Sequence, residues 1–194
     1  MAKFNYKQIR TSVAKNEKSQ KRVQTVMNNK FESNKAILME EFDNHDVTQD
    51  IEFGSNNISI DGGQGGNLRG FIGFPEGSNP IQPVRSVLKE KLVLVRKNVE
   101  TSSSGLRFKF SIRIPKEELR DAAPTPFESG ISWLAGVETG RIAGLANFLS
   151  GRFRNPPSRS SEGVQVKHVT RPGATFKKIP YLNDLIDKFV ARFK

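Results

Sequence analysis

Between residues 12 and 45 apolar side chains return at intervals of three and four: Val13, Val23, Val26, Met27, Phe31, Ile37, Leu38 and Phe42. Helix formers fill the gaps, and the stretch holds neither Pro nor Gly. The spacing predicts one long helix over about 12–45, stopping near Asn44-His45-Asp46. The period then vanishes. Residues 54–83 hold eight Gly and three Pro, which predicts tight turns and excludes regular helix. Inside that Gly-rich loop, Leu68, Phe71, Ile72 and Phe74 are unusually apolar, and they are expected to dock on a core or a neighbouring subunit.

Pro80 to Leu92 predicts a short helix with Val84, Val87 and Leu88 on one side and Pro83 near its first turn. Two strand patterns follow. Leu106, Phe108, Phe110, Ile112 and Ile114 alternate with Arg107, Lys109, Ser111 and Arg113, and LVLVRKNVE precedes them across a Ser-rich turn. The pair predicts a β-hairpin over about 92–114, greasy on one face and basic on the other. Residues 115–130 give one helical turn and a Pro-broken connection, and 131–139 (ISWLAGVET) reads as a buried strand. The segment 150–163 predicts an exposed loop, and Val164, Val166 and His168 a strand ending at Arg171-Pro172-Gly173. From about 180 to 193, Leu182, Leu185, Ile186, Phe189 and Val190 share one face of an amphipathic helix. The sum is a single α+β domain: a central antiparallel β-sheet with a long N-terminal helix and a C-terminal amphipathic helix.

Composition narrows the function classes. The chain has 194 residues, 36% of them hydrophobic, which is enough for one core yet below the usual apolar share. With no cysteine, disulfides, thiol catalysis and Cys-based zinc sites are excluded. No apolar run approaches the roughly 18 residues of a membrane span, and the N-terminus lacks a secretory apolar stretch, so intracellular synthesis is expected.

Charge adds a direction. Thirty-one Lys+Arg face 20 Asp+Glu, giving +11. Residues 1–30 carry eight basic residues and one acid, whereas 31–80 carry two basic residues and nine acids. Such blocks are neutralised within one fold or between copies. Arg107, Lys109 and Arg113 on the hairpin, with Arg152, Arg154 and Arg159 in the 150–163 loop, are candidate contacts to phosphate or to an acidic partner. Phe108 and Phe110 fall on the opposite face from these cations, so base stacking is not expected and any nucleic-acid contact would be independent of sequence.

Catalytic patterns are missing. His45 and His168 lie far apart and in no metal-binding spacing, and His45, crowded beside Asp43 and Asp46, reads as a solvated residue at a helix end. GGQGG lacks the GK[ST] ending of a phosphate loop. The expectation is a protein that is not an enzyme and carries no cofactor and no metal.

Residues 131–140 read Ile-Ser-Trp-Leu-Ala-Gly-Val-Glu-Thr-Gly, and Ile179-Pro180-Tyr181-Leu182 leads into the last helix. This pairing resembles the tail-completion (neck, or head–tail connector) proteins of tailed bacteriophages. There an aromatic-x-x-x-Val-Glu-x-Gly strand is followed by an insertion and then a Pro-Phe/Tyr-Leu entry to the final helix. The resemblance implies a virion structural protein, made in the host cytoplasm and built into the head–tail junction as a homo-oligomeric ring, six- or twelve-fold. Its partners would be further copies of itself, the portal-side connector or adaptor, and the tail-tube or tail-terminator proteins. Genomic DNA would pass through the ring without sequence recognition, and no membrane would be involved. It also implies that Trp133, Val137, Glu138 and Gly140 lie on a strand near the subunit contact, and that Pro180, Tyr181 and Leu182 anchor the last helix. With Leu68, Phe71, Ile72 and Phe74, these residues make up the expected subunit or partner interface. The alternative from charge alone is an intracellular nucleic-acid-binding protein without sequence specificity.

Overall fold

Asn5 accepts a hydrogen bond from the Gln8 amide at 3.3 Å and so caps helix α1, Tyr6–Lys15. The computed structural model describes residues 5–53, 68–75, 77–102, 105–126, 132–139 and 181–193. Asn16 leaves helical geometry at φ −71°, ψ 114°, and its side chain accepts from the Ser19 amide at 3.1 Å. It thereby starts α2, Glu17–Asp43. The single helix expected over 12–45 is therefore two helices, because an Asn that can cap a new helix competes with continuing the old one.

α2 is 27 residues long and spans about 40 Å at 1.5 Å per residue. It buries Phe31, Leu38 and Phe42, spaced at seven and four, along one stripe. Helix α3, Asp46–Phe53, follows after a tight reversal at which His45 Nδ1 accepts from the Val47 amide at 3.2 Å. Within the Gly-rich stretch the structure describes a five-residue helix α4, Leu68–Ile72, where turns alone were expected. Gly73 ends it at φ 89°, and the amides of Gly73 and Phe74 both reach the Arg69 carbonyl at 3.1 Å. That left-handed position suits a residue without a side chain. Residues 54–67 lie outside the described chain.

Helix α5, Ile81–Lys91, matches its expected position and buries Ile81, Val84 and Leu88. The hairpin also forms as read, with β1, Val93–Ser102, antiparallel to β2, Gly105–Arg113. A register shift between Arg96 and Val99 bulges β1. Leu94 lies opposite Ile112 and Val99 opposite Phe108, as a greasy face requires. Arg96 pairs with Phe110 and so falls on the apolar side of the hairpin. Among the described residues the sheet consists of these two strands, and helices supply most of the core.

Helix α6, Lys116–Asp121, is the expected single turn or so. The segment read as a buried strand is instead helix α7, Trp133–Thr139. Trp133 and Val137, one helical turn apart, are both fully buried, and a short apolar run does not by itself separate a strand from a buried helix. Helix α8, Leu182–Ala191, closes the chain and buries Leu182, Leu185, Ile186 and Phe189. It lies along α2, with the Phe31 and Phe189 rings edge to face at 5.7 Å. The strand expected near 164–168 and the 150–163 loop fall outside the described residues. Among the described residues no helix is long and apolar enough to cross a membrane.

Candidate functional site

The Trp133–Glu138 segment and the Tyr181-Leu182 helix entry, far apart in sequence, meet in the structure. Tyr181 sits at the entrance to α8 and is fully buried. Its hydroxyl and that of Thr48 on α3 are 2.7 Å apart. Its ring lies 6.0 Å from Phe42, 4.8 Å from His45 and 6.4 Å from Trp133, while Trp133 meets Phe74 edge to face at 6.2 Å. Burial pushes the Tyr181 phenol far above its ordinary value, so the group stays neutral.

Glu138, at the end of α7, faces the start of α8. Its Oε1 accepts from the Asn183 backbone amide at 2.8 Å, and its other oxygen accepts from the Asn183 side-chain amide. The carboxylate thus satisfies amides that the first turn of α8 would leave open, where the helix dipole favours negative charge. Desolvation raises its pKa above the ordinary 4.5, while hydrogen bonds from the Asn183 and Leu182 amides pull the other way. This role was not visible in the sequence, since Glu138 and Asn183 are 45 residues apart.

The acidic block has structural work inside the fold. Arg85 on α5 donates to Asp43 at 2.8 Å and, through both terminal nitrogens, to Glu52 at 3.1 and 2.7 Å, tying α2, α3 and α5 together. Arg192 pairs with Glu41. Asp50, 1% exposed, accepts from the Leu68 amide at 2.8 Å and so fixes the start of α4. Arg69 is also buried, and donates to the carbonyls of Ile51, Pro75 and Ser78 at 2.7–3.0 Å. Asp50 and Arg69 between them stitch α3, α4 and the following turn. Arg69, Arg85 and Asp50 were functionally silent in the sequence.

Most of the expected interface residues lie inside. Leu68, Ile72, Phe74, Trp133, Val137, Tyr181 and Leu182 are all buried in the chain's own core. Leu68, Ile72 and Phe74 thus take the first of their two expected places, a core, and Trp133, Val137, Tyr181 and Leu182, expected near a subunit contact, are packed there with them. Glu138 is half-buried at the α7–α8 seam. Phe71 belongs to α4, and its side chain, like Gly140 and Pro180, lies outside the description.

What the surface does offer is α1. Tyr6, Ile9 and Val13, on one face at spacings of three and four, are 67%, 48% and 41% exposed, while the inward side of the helix carries Arg10 and Ala14. A helix with its apolar stripe outward lacks a cover among the described residues.

Of the candidate cation contacts, Lys109 pairs with Glu100 and Arg113 with Glu118, so both are spoken for. Arg107 is exposed. Arg152, Arg154 and Arg159 lie outside the described residues. Between the greasy side of the hairpin, Met27 of α2 and the end of α8 runs an open groove of about 500 Å³, lined by Phe108, Phe110, Ile112, Val190 and Phe193. Among the described residues no group of three or more His, Asp or Glu is placed to hold a metal ion.

Comparison of the chain with protein-family models, with curated proteins and with solved structures gives no match.

Proposed function

We propose that the chain is a virion structural protein that assembles as a ring at the head–tail junction, joining a portal-side connector to the tail around the DNA channel. One observation carries the reading. The Trp133-x-x-x-Val137-Glu138 segment, a helix here where the resemblance implied a strand, and the Tyr181-Leu182 helix entry, the two pieces that resemble neck proteins, pack as one unit sealed by Glu138 and the Tyr181–Thr48 bond. A shared packing unit is the physical reason for two short, distant motifs to occur together. The exposed Tyr6–Ile9–Val13 stripe is where this reading places a neighbouring subunit or connector.

The test is the mass of the purified protein on a sizing column, with and without DNA at low salt. Self-association without DNA, abolished by Ile9→Asp while the monomer stays folded, fits the ring. A monomer that shifts only when DNA is added contradicts it and leaves the nucleic-acid-binding reading.

A further inference from the structure

Anions and cations in this chain are not disposed of in the same way. Four of the seven described acids of the 31–80 block are engaged inside the fold: Asp43 and Glu52 by Arg85, Glu41 by Arg192, and Asp50 by the Leu68 amide. Four cations at the α1–α2 bend are disposed of differently. Lys15, at the end of α1, and Lys18, Lys21 and Arg22, in the first turns of α2, are exposed, and none of the four makes an ion pair with a described residue. Lys18, Lys21 and Arg22 stand at i, i+3 and i+4 and so share one face of α2. Glu17 is the one acid between residues 5 and 31. α1 packs against both hairpin strands, on which Lys97 and Arg107 are also exposed and unpaired among the described residues.

We infer that the bend between α1 and α2 is a docking surface for the phosphate backbone of duplex DNA, with Lys15, Lys18, Lys21 and Arg22 as its cationic contacts. Four close, unneutralised charges on well-formed helix turns repel one another in the free protein, and condensed phosphates relieve that repulsion while releasing counterions. The long, flexible side chains and the absence of a groove-reading helix pattern make the contact one of charge, not of base sequence. The surface differs from the one the sequence suggested, because the structure commits Lys109 and Arg113 to Glu100 and Glu118. The inference deepens the head–tail reading, in which DNA passes through the ring, but its test requires neither ring nor particle.

The experiment is fluorescence anisotropy of a labelled 30-base-pair duplex with the full chain at 50, 100 and 200 mM NaCl. Four phosphate contacts give a log–log slope of about −3.6, or a loss of affinity of about 150-fold over that range. The triple variant Lys18→Glu, Lys21→Glu, Arg22→Glu should lower affinity at least about 100-fold at 50 mM and flatten the slope to about −1. A control of equal charge change, Lys89→Glu, Lys91→Glu, Lys116→Glu, alters exposed residues on other elements and should keep most of the slope. Circular dichroism verifies that both variants fold. Equal weakening by the two variants would reduce the effect to the net charge of the chain and overturn the assignment. So would no binding by the unaltered protein at 50 mM. Tighter binding to a polyglutamate of matching charge than to the duplex would overturn it too, and give the surface to an acidic protein. Whichever way the DNA result falls, oligomer mass without DNA still tests the ring on its own.

Discussion

The Tyr181–Thr48 bond joins the last helix to α3 across the centre of the molecule, and a double-mutant cycle measures it. Both residues are fully buried, and their hydroxyls are 2.7 Å apart. Tyr181→Phe keeps the ring stacked on Phe42 and strands the Thr48 hydroxyl in an apolar setting; Thr48→Val keeps the volume and strands the Tyr181 hydroxyl. A buried group left without its partner costs about 1–3 kcal/mol, whereas removing both partners with the shape preserved is close to neutral. Thr48 lies within α3 and can turn to a carbonyl of the preceding turn, so the low end, about 1–1.5 kcal/mol, is expected for Tyr181→Phe. Thr48→Val, with no such escape for the phenol, should cost about 2 kcal/mol. The double variant should then fall at least about 1 kcal/mol short of the sum of the singles. Urea denaturation followed by far-ultraviolet circular dichroism reads this directly. With a slope of about 2 kcal/mol per molar, a 1.5 kcal/mol loss moves the midpoint by about 0.7 M. Additive single effects, with no coupling, would mean that the two hydroxyls do not meet and that α8 does not enter the core beside α3.

The difference between core and hairpin predicts unequal phenylalanines: Phe42→Ala should cost about 3–5 kcal/mol, and the half-buried Phe110→Ala about 1–2 kcal/mol, in the same denaturation assay. Arg85→Met should lose about 1–2 kcal/mol at 0.05 M NaCl and visibly less at 1 M, since its pairs with Asp43 and Glu52 are only partly shielded from solvent; equal losses at both salts would contradict the ion-pair account. Glu138, with its folded pKa raised above 4.5, binds its proton more tightly folded than unfolded. Its titration therefore favours folding below about pH 4.5 and withdraws that contribution as pH rises through the folded value. Glu138→Gln should flatten this part of the stability–pH curve measured from pH 3 to 7, while Glu138→Ala should cost about 1 kcal/mol at pH 7 through loss of the α8 cap.

Strong periodicity was legible in the sequence. The hairpin alternates without a break from Leu106 to Ile114, and α5 and α8 each repeat an apolar face over two turns or more, so local pattern and tertiary burial agree. Two features resisted. At Asn16 no Pro or Gly marks a break among the helix formers, and a single capping side chain starts a new helix. At 133–139 seven residues are too few to distinguish a strand from a helix, and burial of Trp133 and Val137 together decides for the helix. The site was misjudged for a different reason. Leu68, Phe74 and Trp133 look the same in a sequence whether their cover is their own chain or a neighbour. Acids such as Asp43 and Glu52 look solvated until Arg85, more than thirty residues away, is seen between them. Contacts at such separation leave no local signature. The stripe on α1 could have been found: Tyr6 and Ile9 extend the helical spacing of Val13 ahead of the predicted start at residue 12.

The proposed ring at the head–tail junction is tested most directly by quantitative mass spectrometry of purified virions, with this chain counted against the portal protein of the same particles. The account predicts a fixed number of copies per particle in ring stoichiometry, retained after washing in 1 M NaCl because apolar contacts such as those of the Tyr6–Ile9–Val13 stripe are not screened by salt. Absence from washed particles, with the chain recovered on nucleic acid in the infected-cell lysate, would contradict it.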